Sequence, residues 1–378
     1  MAKLEFCVGH SDDPDVDDAV DEAVAQARSQ LVGEPKAVLV FAGTSYDDEE
    51  LLAHVKRHFG STPMIGCTTD GELSSHAFSH DGVLITLLAG DAIDHVQVGM
   101  GRELEADAWA AVAQASSGMA NGPALVLSTP SSFKSNLDET MRALQARFED
   151  TPIAGGASGD RIEFHRAREF ANGVAAADSI PLMAIYGDIE VSLGVASGWE
   201  PVGQAWVATK TVGNVVYELD GEPALQKLES WVGTSVTAVT LEFPLAVFPA
   251  GADGQFYLRA VFSVDTQTGA IHLPAEVPQG SQIRMTRASH DGVLSGADQA
   301  IQQVMSGLGG PPAGCFVFSC TGRKWVLGTR AEEEREHILA HTDGPIAGFY
   351  GFAELGPLGD LGASVHNQTC VAVGLRAR

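Results

Sequence analysis

The chain has 378 residues, 45% hydrophobic and 19% charged, a composition that supports a sizeable core and, at this length, two modules. Its formal net charge is −26, with 23 Lys and Arg against 49 Asp and Glu, so nucleic acid and membrane lipid are not expected as partners. Five cysteines, widely spaced and without a C-x-x-C pair, argue against a disulfide framework and a structural zinc site.

The N-terminus is rich in Asp and lacks a basic region followed by an apolar run, so no signal peptide is expected, and no apolar stretch approaches the roughly 20 residues that span a bilayer. A cytoplasmic protein is expected. From Asp12 to Leu31, Val16, Val20, Val24 and Ala27 recur at helical spacing and predict an amphipathic helix. Ala37–Ala42 then reads as a strand buried on both faces. A turn at Gly43-Thr44-Ser45 follows, then a helix carrying Leu51, Leu52, Val55 and Phe59, and a return segment from Pro63 to Glu72. His54 and His58 stand at i and i+4 on that helix, a spacing that can hold a metal. No Glu follows His54, so the metalloprotease pattern is absent and a solvated helix face is the preferred reading, with no metal site expected.

The same series recurs twice. Ala124–Leu127 leads through Ser128-Thr129-Pro130-Ser131-Ser132 to a helix with Leu137, Met141, Leu144 and Phe148, then to Pro152–Arg161. Cys315–Phe318 leads through Ser319-Cys320-Thr321-Gly322-Arg323 to an acidic helix over 332–341, then to Pro345–Glu354. In each copy a Gly stands three places after the Pro (Gly66, Gly155, Gly348) and a charged residue nine places after it (Glu72, Arg161, Glu354). Between the second and third copies, short β-rich runs such as Ile189–Ala196, Phe256–Val264 and Ser281–Arg287 predict antiparallel hairpins, interrupted by helices over 223–232 and 291–305. The expected fold is α/β, with repeated βαβ-like units in mixed sheets and antiparallel hairpins in the second half. The expected divisions are an N-terminal helix within 1–30, a first module over 31–220 and a second over 221–378.

Chemistry is sought in the loops beyond the carboxyl ends of the strands. Arg323, after a Gly turn, offers a fork of donors suited to a carboxylate, with a structural ion pair, for instance to Glu354, as the alternative. His366-Asn367-Gln368-Thr369 concentrates polar groups before an apolar strand, and Phe349, Tyr350 and Phe352 are candidates for an apolar wall. Cys320 and His366 are the types that make a nucleophilic pair, although nothing in the sequence brings them together. No phosphate-binding loop or dinucleotide fingerprint is present.

Taken together, the segments over 38–42 and 63–72 resemble the FIST N-terminal domain. Ser319–Arg323, Pro345–Pro357 and His366–Thr369 resemble the FIST C-terminal domain. The resemblance implies a small-ligand sensor in signal transduction, not an enzyme, with amino acids as the usual proposed ligands and haem-linked gas sensing in some relatives. On it, the 31–220 and 221–378 modules are the two FIST domains, and the expected ligand-binding residues are Arg323, Glu354, His366, Asn367, Cys320, Cys67, Thr68 and Phe349. Arg323 would take a carboxylate, and Glu354 or Asp70 an ammonium. No catalytic set and no cofactor is expected, with a haem on His366 and a Cys320-dependent enzyme as alternatives. A separate signalling output protein is expected as partner, because no output segment is visible.

Overall fold

The computed structural model describes residues 2–132, 135–236, 240–250, 254–359 and 362–378. Within them one series of elements occurs three times: lead strand, helix, central strand, helix, return strand, hairpin, closing strand. In the first copy these are Glu5–Ser11, Val16–Gln30, Ala37–Ala42, Asp48–Phe59, Met64–Thr68, the hairpin Glu72–Ser74 with Phe78–Ser79, and Val83–Ala89. In the second they are Ile93–Arg102, Ala108–Ala115, Leu125–Ser128, Leu137–Phe148, Ile153–Gly156, the hairpin Glu169–Ala171 with Val174–Ala176, and Ser179–Gly187. The third runs from the lead strand Ile189–Ala196 to the helix His290–Gly307 and the central strand Gly314–Cys320. It continues through the helices Thr321–Leu327 and Ala331–Leu339, the return strand Ile346–Gly351, and the hairpin Glu354–Pro357 with Ala363–His366. It ends on the closing strand Cys370–Ala377.

Three six-stranded sheets result, each in the order lead, closing, central, return, hairpin. Central and return strands are parallel in all three, as a βαβ unit requires. The hairpins are exchanged in a cycle. The second copy's hairpin extends the first sheet, the third copy's extends the second, and the first copy's extends the third. Every sheet therefore contains strands from two copies.

The repeated glycines have one cause. The return strand runs so close to the central strand that a Cβ on Gly66 would lie 1.7 Å from the Val40 carbonyl oxygen. The corresponding distances are 1.8 Å from Ser128 for Gly155 and 1.7 Å from Val317 for Gly348. The residue opposite the position after each glycine is a buried glutamate. Glu169 pairs with Cys67, Glu354 with Gly156, and Glu72 with Phe349. In the second copy this glutamate is Glu169, not the Arg161 that the nine-residue spacing indicates, because the loop between return strand and hairpin is longer there.

The inner faces of the three sheets meet in one core containing Phe41, Leu127, Phe316, Phe318 and Phe349. Helices cover the outer faces. Val20, Val24, Leu51, Leu52, Val55 and Phe59 do so on the first sheet, each such burial contributing about 1.5–3 kcal/mol. Asp15 and Asp47 cap these two helices by accepting first-turn N–H groups, which fixes where the helical periodicity starts. The lead strand Glu5–Ser11 is absent from the sequence reading because Glu5, His10 and Ser11 interrupt its apolar pattern. The structure buries all seven residues, with His10 between the Ser74 and Ser79 hydroxyls at 2.8 and 2.7 Å.

The antiparallel region is an insertion between the third copy's lead strand and its first helix. It forms an eight-stranded sheet running from Glu200–Val212 to Gln282–Arg287, with the helix Ala224–Val232 packed on it. Residue 220 falls inside it, between the strands Val215–Leu219 and Glu222–Pro223. Arg259, 1% exposed, ties the insertion to the repeats through Asp138 (3.2 Å) and the Val365 carbonyl (3.0 Å). Among the described residues, no helix is long and apolar enough to cross a membrane.

Candidate functional site

A cavity of about 830 Å³ opens where the second copy, the third copy and the insertion meet. Its floor comes from two neighbouring segments of the third sheet, Cys320–Gly322 leaving its central strand and Asn367–Gln368 entering its closing strand. The second copy supplies Ser132, Ser135, Ile162 and Phe164, and the insertion supplies a wall that includes Leu241, Phe243, Ala260 and Phe262. Apolar side chains dominate the lining, and among the described lining residues Glu242 is the only carboxylate and no Lys, Arg or His occurs. Such a chamber suits a small, largely apolar molecule oriented by a few polar groups.

The floor is built by close approach. The Gln368 backbone is left-handed (φ 56°), its Nε2 donates to the Leu241 carbonyl at 2.9 Å, and its side chain lies over Gly322. A Cβ on Gly322 would sit 2.2 Å from Gln368 Oε1. The glycine leaves room for the Gln368 side chain and does not serve the unusual turn that the sequence suggests. It stands inside a right-handed helix.

The rim from the second copy is a strained loop. Arg161, Ile162 and Phe164 have φ of 59°, 66° and 59°, each left-handed residue costing about 1–3 kcal/mol. Asp160, fully buried, holds the loop in this form by accepting the backbone N–H groups of Phe164, His165 and Arg166 at 2.9, 2.7 and 2.8 Å. Phe164 thereby packs 5.2 Å from the Phe352 ring and 5.4 Å from Phe262.

The three equivalent glutamates show what distinguishes the third copy. Glu72 accepts from the Thr69 and Ser79 hydroxyls and the Gly82 N–H. Glu169 accepts from the Ser158 and Ser179 hydroxyls and the Ser179 N–H. Burial pushes both up to about 7 against these donors. Thr69 and Ser158 stand three residues after the repeat glycine, where the third copy has Gly351. Glu354 keeps a long bond from the Thr369 N–H (3.3 Å), and among the described residues its Oε1 has no N–H or O–H donor, with only the Cys320 thiol beside the carboxyl. Burial drives this carboxyl well above its usual range. Its neighbour Cys320 lines the cavity, and burial together with Glu354 drives that thiol well above its usual range. A reactive cysteine needs the opposite shift.

Of the eight expected binding residues, Cys320 and Asn367 line the cavity and Glu354 lies beside Cys320. Arg323 does not line it. Arg323 is fully buried and its donors are taken by Glu334 (Nη2 at 2.8 Å, Nε at 3.0 Å), the Val293 carbonyl (2.8 Å) and the Ser197 carbonyl. Its partner is Glu334 rather than Glu354, and the guanidinium lies buried away from the cavity. His366 is also buried and turned away, with Nε2 at 3.1 Å from the Pro357 carbonyl. It borders a second, more polar cleft of about 700 Å³. Burial, aided by the Arg259 guanidinium, pushes its imidazole down to about 4. No contact pairs it with Cys320, and it does not line the main cavity. Cys67 and Thr68 lie in the first copy's return strand, and Phe349 lies in the central core, 4.7 Å from Phe41. None of the three reaches the cavity. Tyr350 hydrogen-bonds Glu334 at 2.8 Å, so only Phe352 of the expected wall lines the chamber. Asp70 is paired with Lys324 at 3.4 Å. Gln368 belongs to the polar segment that the sequence marks but not to the eight expected binding residues, and the Asp160 loop and the insertion's contribution are missed by the sequence reading. The Asp160 loop carries no motif that marks it.

The FIST N domain model matches residues 36–222 and the FIST C domain model matches residues 224–357. An uncharacterized protein of Mycobacterium tuberculosis (strain ATCC 25618 / H37Rv) is 26% identical over 375 residues, covering 94% of this chain and 95% of that protein. An uncharacterized protein of Mycobacterium bovis is 24% identical over the same length and coverage. One from Methanocaldococcus jannaschii is 26% identical over 211 residues, 51% of this chain and 40% of that protein.

Proposed function

This chain belongs to the FIST family, and from that premise we propose that it is a small-molecule receptor whose ligand occupies the chamber between the second copy, the third copy and the insertion. The observation that carries the proposal is the chamber itself: about 830 Å³, apolar-walled, and floored by Cys320, Asn367 and Gln368. The absence of a cation among its described lining residues favours an uncharged or cationic, mostly apolar ligand over an amino acid anchored by its carboxylate. The proposal assigns no bond-making chemistry to Cys320. Signalling through a separate output protein, in the cytoplasm, is part of the same proposal and follows from the family.

Two measurements test it. Native mass spectrometry of the purified protein should show a copurified small molecule, or, after Nile red is added, one dye per chain with Trp325 emission altered. Ala260→Phe, which fills the chamber from the insertion side, should remove either adduct without loss of folding. Adducts that survive unchanged in folded Ala260→Phe would place the ligand elsewhere and end the proposal.

A further inference from the structure

On the outer face of the first sheet, the first two helices meet through an unusual group of side chains. Asp21, on Val16–Gln30, places one carboxylate oxygen 2.8 Å from His54 Nε2 and 2.7 Å from His58 Nε2, both on Asp48–Phe59. The two rings lie one helical turn apart, 5.3 Å between centroids. One ligand atom from each of the three residues falls within a sphere in which all lie within 4.8 Å of one another. His54 is 6% exposed, not the solvated side chain that its spacing suggests. Its other ring nitrogen, Nδ1, is held by the Asp17 carboxylate.

We propose that Asp21, His54 and His58 bind one divalent ion of the zinc, cobalt and nickel class. Two imidazole nitrogens and a carboxylate oxygen are the donor types such ions take, usually with water in the fourth position. Asp17 adds the feature that separates a metal site from a chance cluster. A ligating histidine almost always gives its second nitrogen to a carboxylate or carbonyl, which fixes the ring and raises its basicity. Here that bond is already made, and it aims Nε2 at Asp21 and His58. Asp21 now sits between the two nitrogens, closer to each than two ligands of one ion would be, so it must swing outward. Its side chain is 58% exposed and free to do so. Asp12, Asp13, Asp15 and Asp18 crowd the same end of the helix, and the chain's net charge of −26 favours cation approach. The ion would pin the first helix to the second, and so cross-link the cover of the first sheet.

The third copy contains a looser counterpart that serves as an internal competitor. His337 Nδ1 and His341 Nε2 both lie 3.0 Å from Asp298, but among the described residues no second carboxylate bonds either ring, and both are exposed by about a third. The test is titration of the full chain with Co²⁺, followed by its visible ligand-field absorption, and with Zn²⁺, followed by calorimetry and melting temperature. One ion per chain is expected, with a tetrahedral Co²⁺ spectrum and a raised melting temperature. His58→Gln, at a partly exposed position, should weaken binding at least tenfold and remove the spectrum, and Asp17→Asn should weaken it by about 10–100-fold. No saturable binding at micromolar ion, or binding that persists in His58→Gln and disappears in His341→Gln, overturns the assignment.

Discussion

Replacing Glu72 by Gln should change the stability of this protein in a pH-dependent way whose sign is fixed by the burial of one carboxyl. Glu72 is fully buried, and desolvation pushes its carboxyl from 4.5 to about 7 despite bonds from Thr69, Ser79 and the Gly82 N–H. In the unfolded chain the group ionises near 4.5. In the native state it keeps its proton until about 7, so between these values the native state holds more protons and unfolding free energy falls as pH rises. The stabilisation is complete below 4.5 and lost above 7. The displacement corresponds to about 3 kcal/mol. The wild-type profile alone does not isolate it. His10 and His366, both pushed down to about 4 by burial, act in the opposite direction between 4 and 6.5. Carboxyls held low by partners, such as Glu276 beside Arg142, lose their contribution only below the window. The difference between variant and wild type cancels these terms. Urea unfolding at pH 4.5, 5.5, 6.5 and 7.5 should show Glu72→Gln gaining about 3 kcal/mol on wild type across the series. A difference that stays constant with pH, with unchanged urea dependence, refutes the argument.

Two further predictions separate the architecture from the binding site. Arg323→Ala strips the buried Glu334 of its cationic partner, leaving only the Ser319 and Tyr350 hydroxyls on it, and should lower stability by about 3–5 kcal/mol, read as the urea midpoint. Nile red affinity of the remaining folded protein should be unchanged, and a loss of affinity would return Arg323 to the site. Asp160→Asn replaces one of the two oxygens that accept the three rim N–H groups by an NH2 donor, so at least one N–H loses its acceptor, at about 1–3 kcal/mol. Hydrogen exchange at Phe164, His165 and Arg166 should quicken and dye affinity fall. Unchanged exchange there would show that the loop is held by other contacts.

The parts of the fold legible in the sequence are those imposed by backbone contact. A return strand pressed on a central-strand carbonyl admits only Gly, so Gly66, Gly155 and Gly348 stand at one spacing from their prolines and reveal the repeat. The hairpin exchange left no such mark, because a strand reads the same whichever sheet it joins. Side-chain roles depend on direction, which period alone does not supply. Phe349 and Phe352 are three residues apart near one strand end, yet one fills the core and the other the chamber. Arg323 has the sequence context of an anion site, but its partner Glu334 arrives from the next helix, where an acidic run looks like a solvated face. Glu169 is hidden by the longer loop that also makes the chamber rim.

The location of the chamber follows from where the repeat is broken. In the first two copies, hydroxyls three residues after the repeat glycine cage the buried glutamate from within, and the joint is closed. The third copy has Gly351 there, and Glu354 is left with one long N–H bond and a thiol neighbour. A Cβ at Gly351 would lie 2.3 Å from the Ala157 carbonyl oxygen, so the hydroxyl cannot be restored without moving the second copy's loop. The same copy carries the insertion, whose Leu241 carbonyl takes the Gln368 side chain and whose Phe262 meets the strained Phe164. Loss of the internal cage and addition of an outer wall thus act on one joint of three. A ligand there would stand against the least satisfied polar groups of the repeat, beneath the loop that stores the most backbone strain. Occupancy can therefore change the stability of the Asp160 loop and of the insertion together, while the two caged joints keep the rest of the fold unchanged.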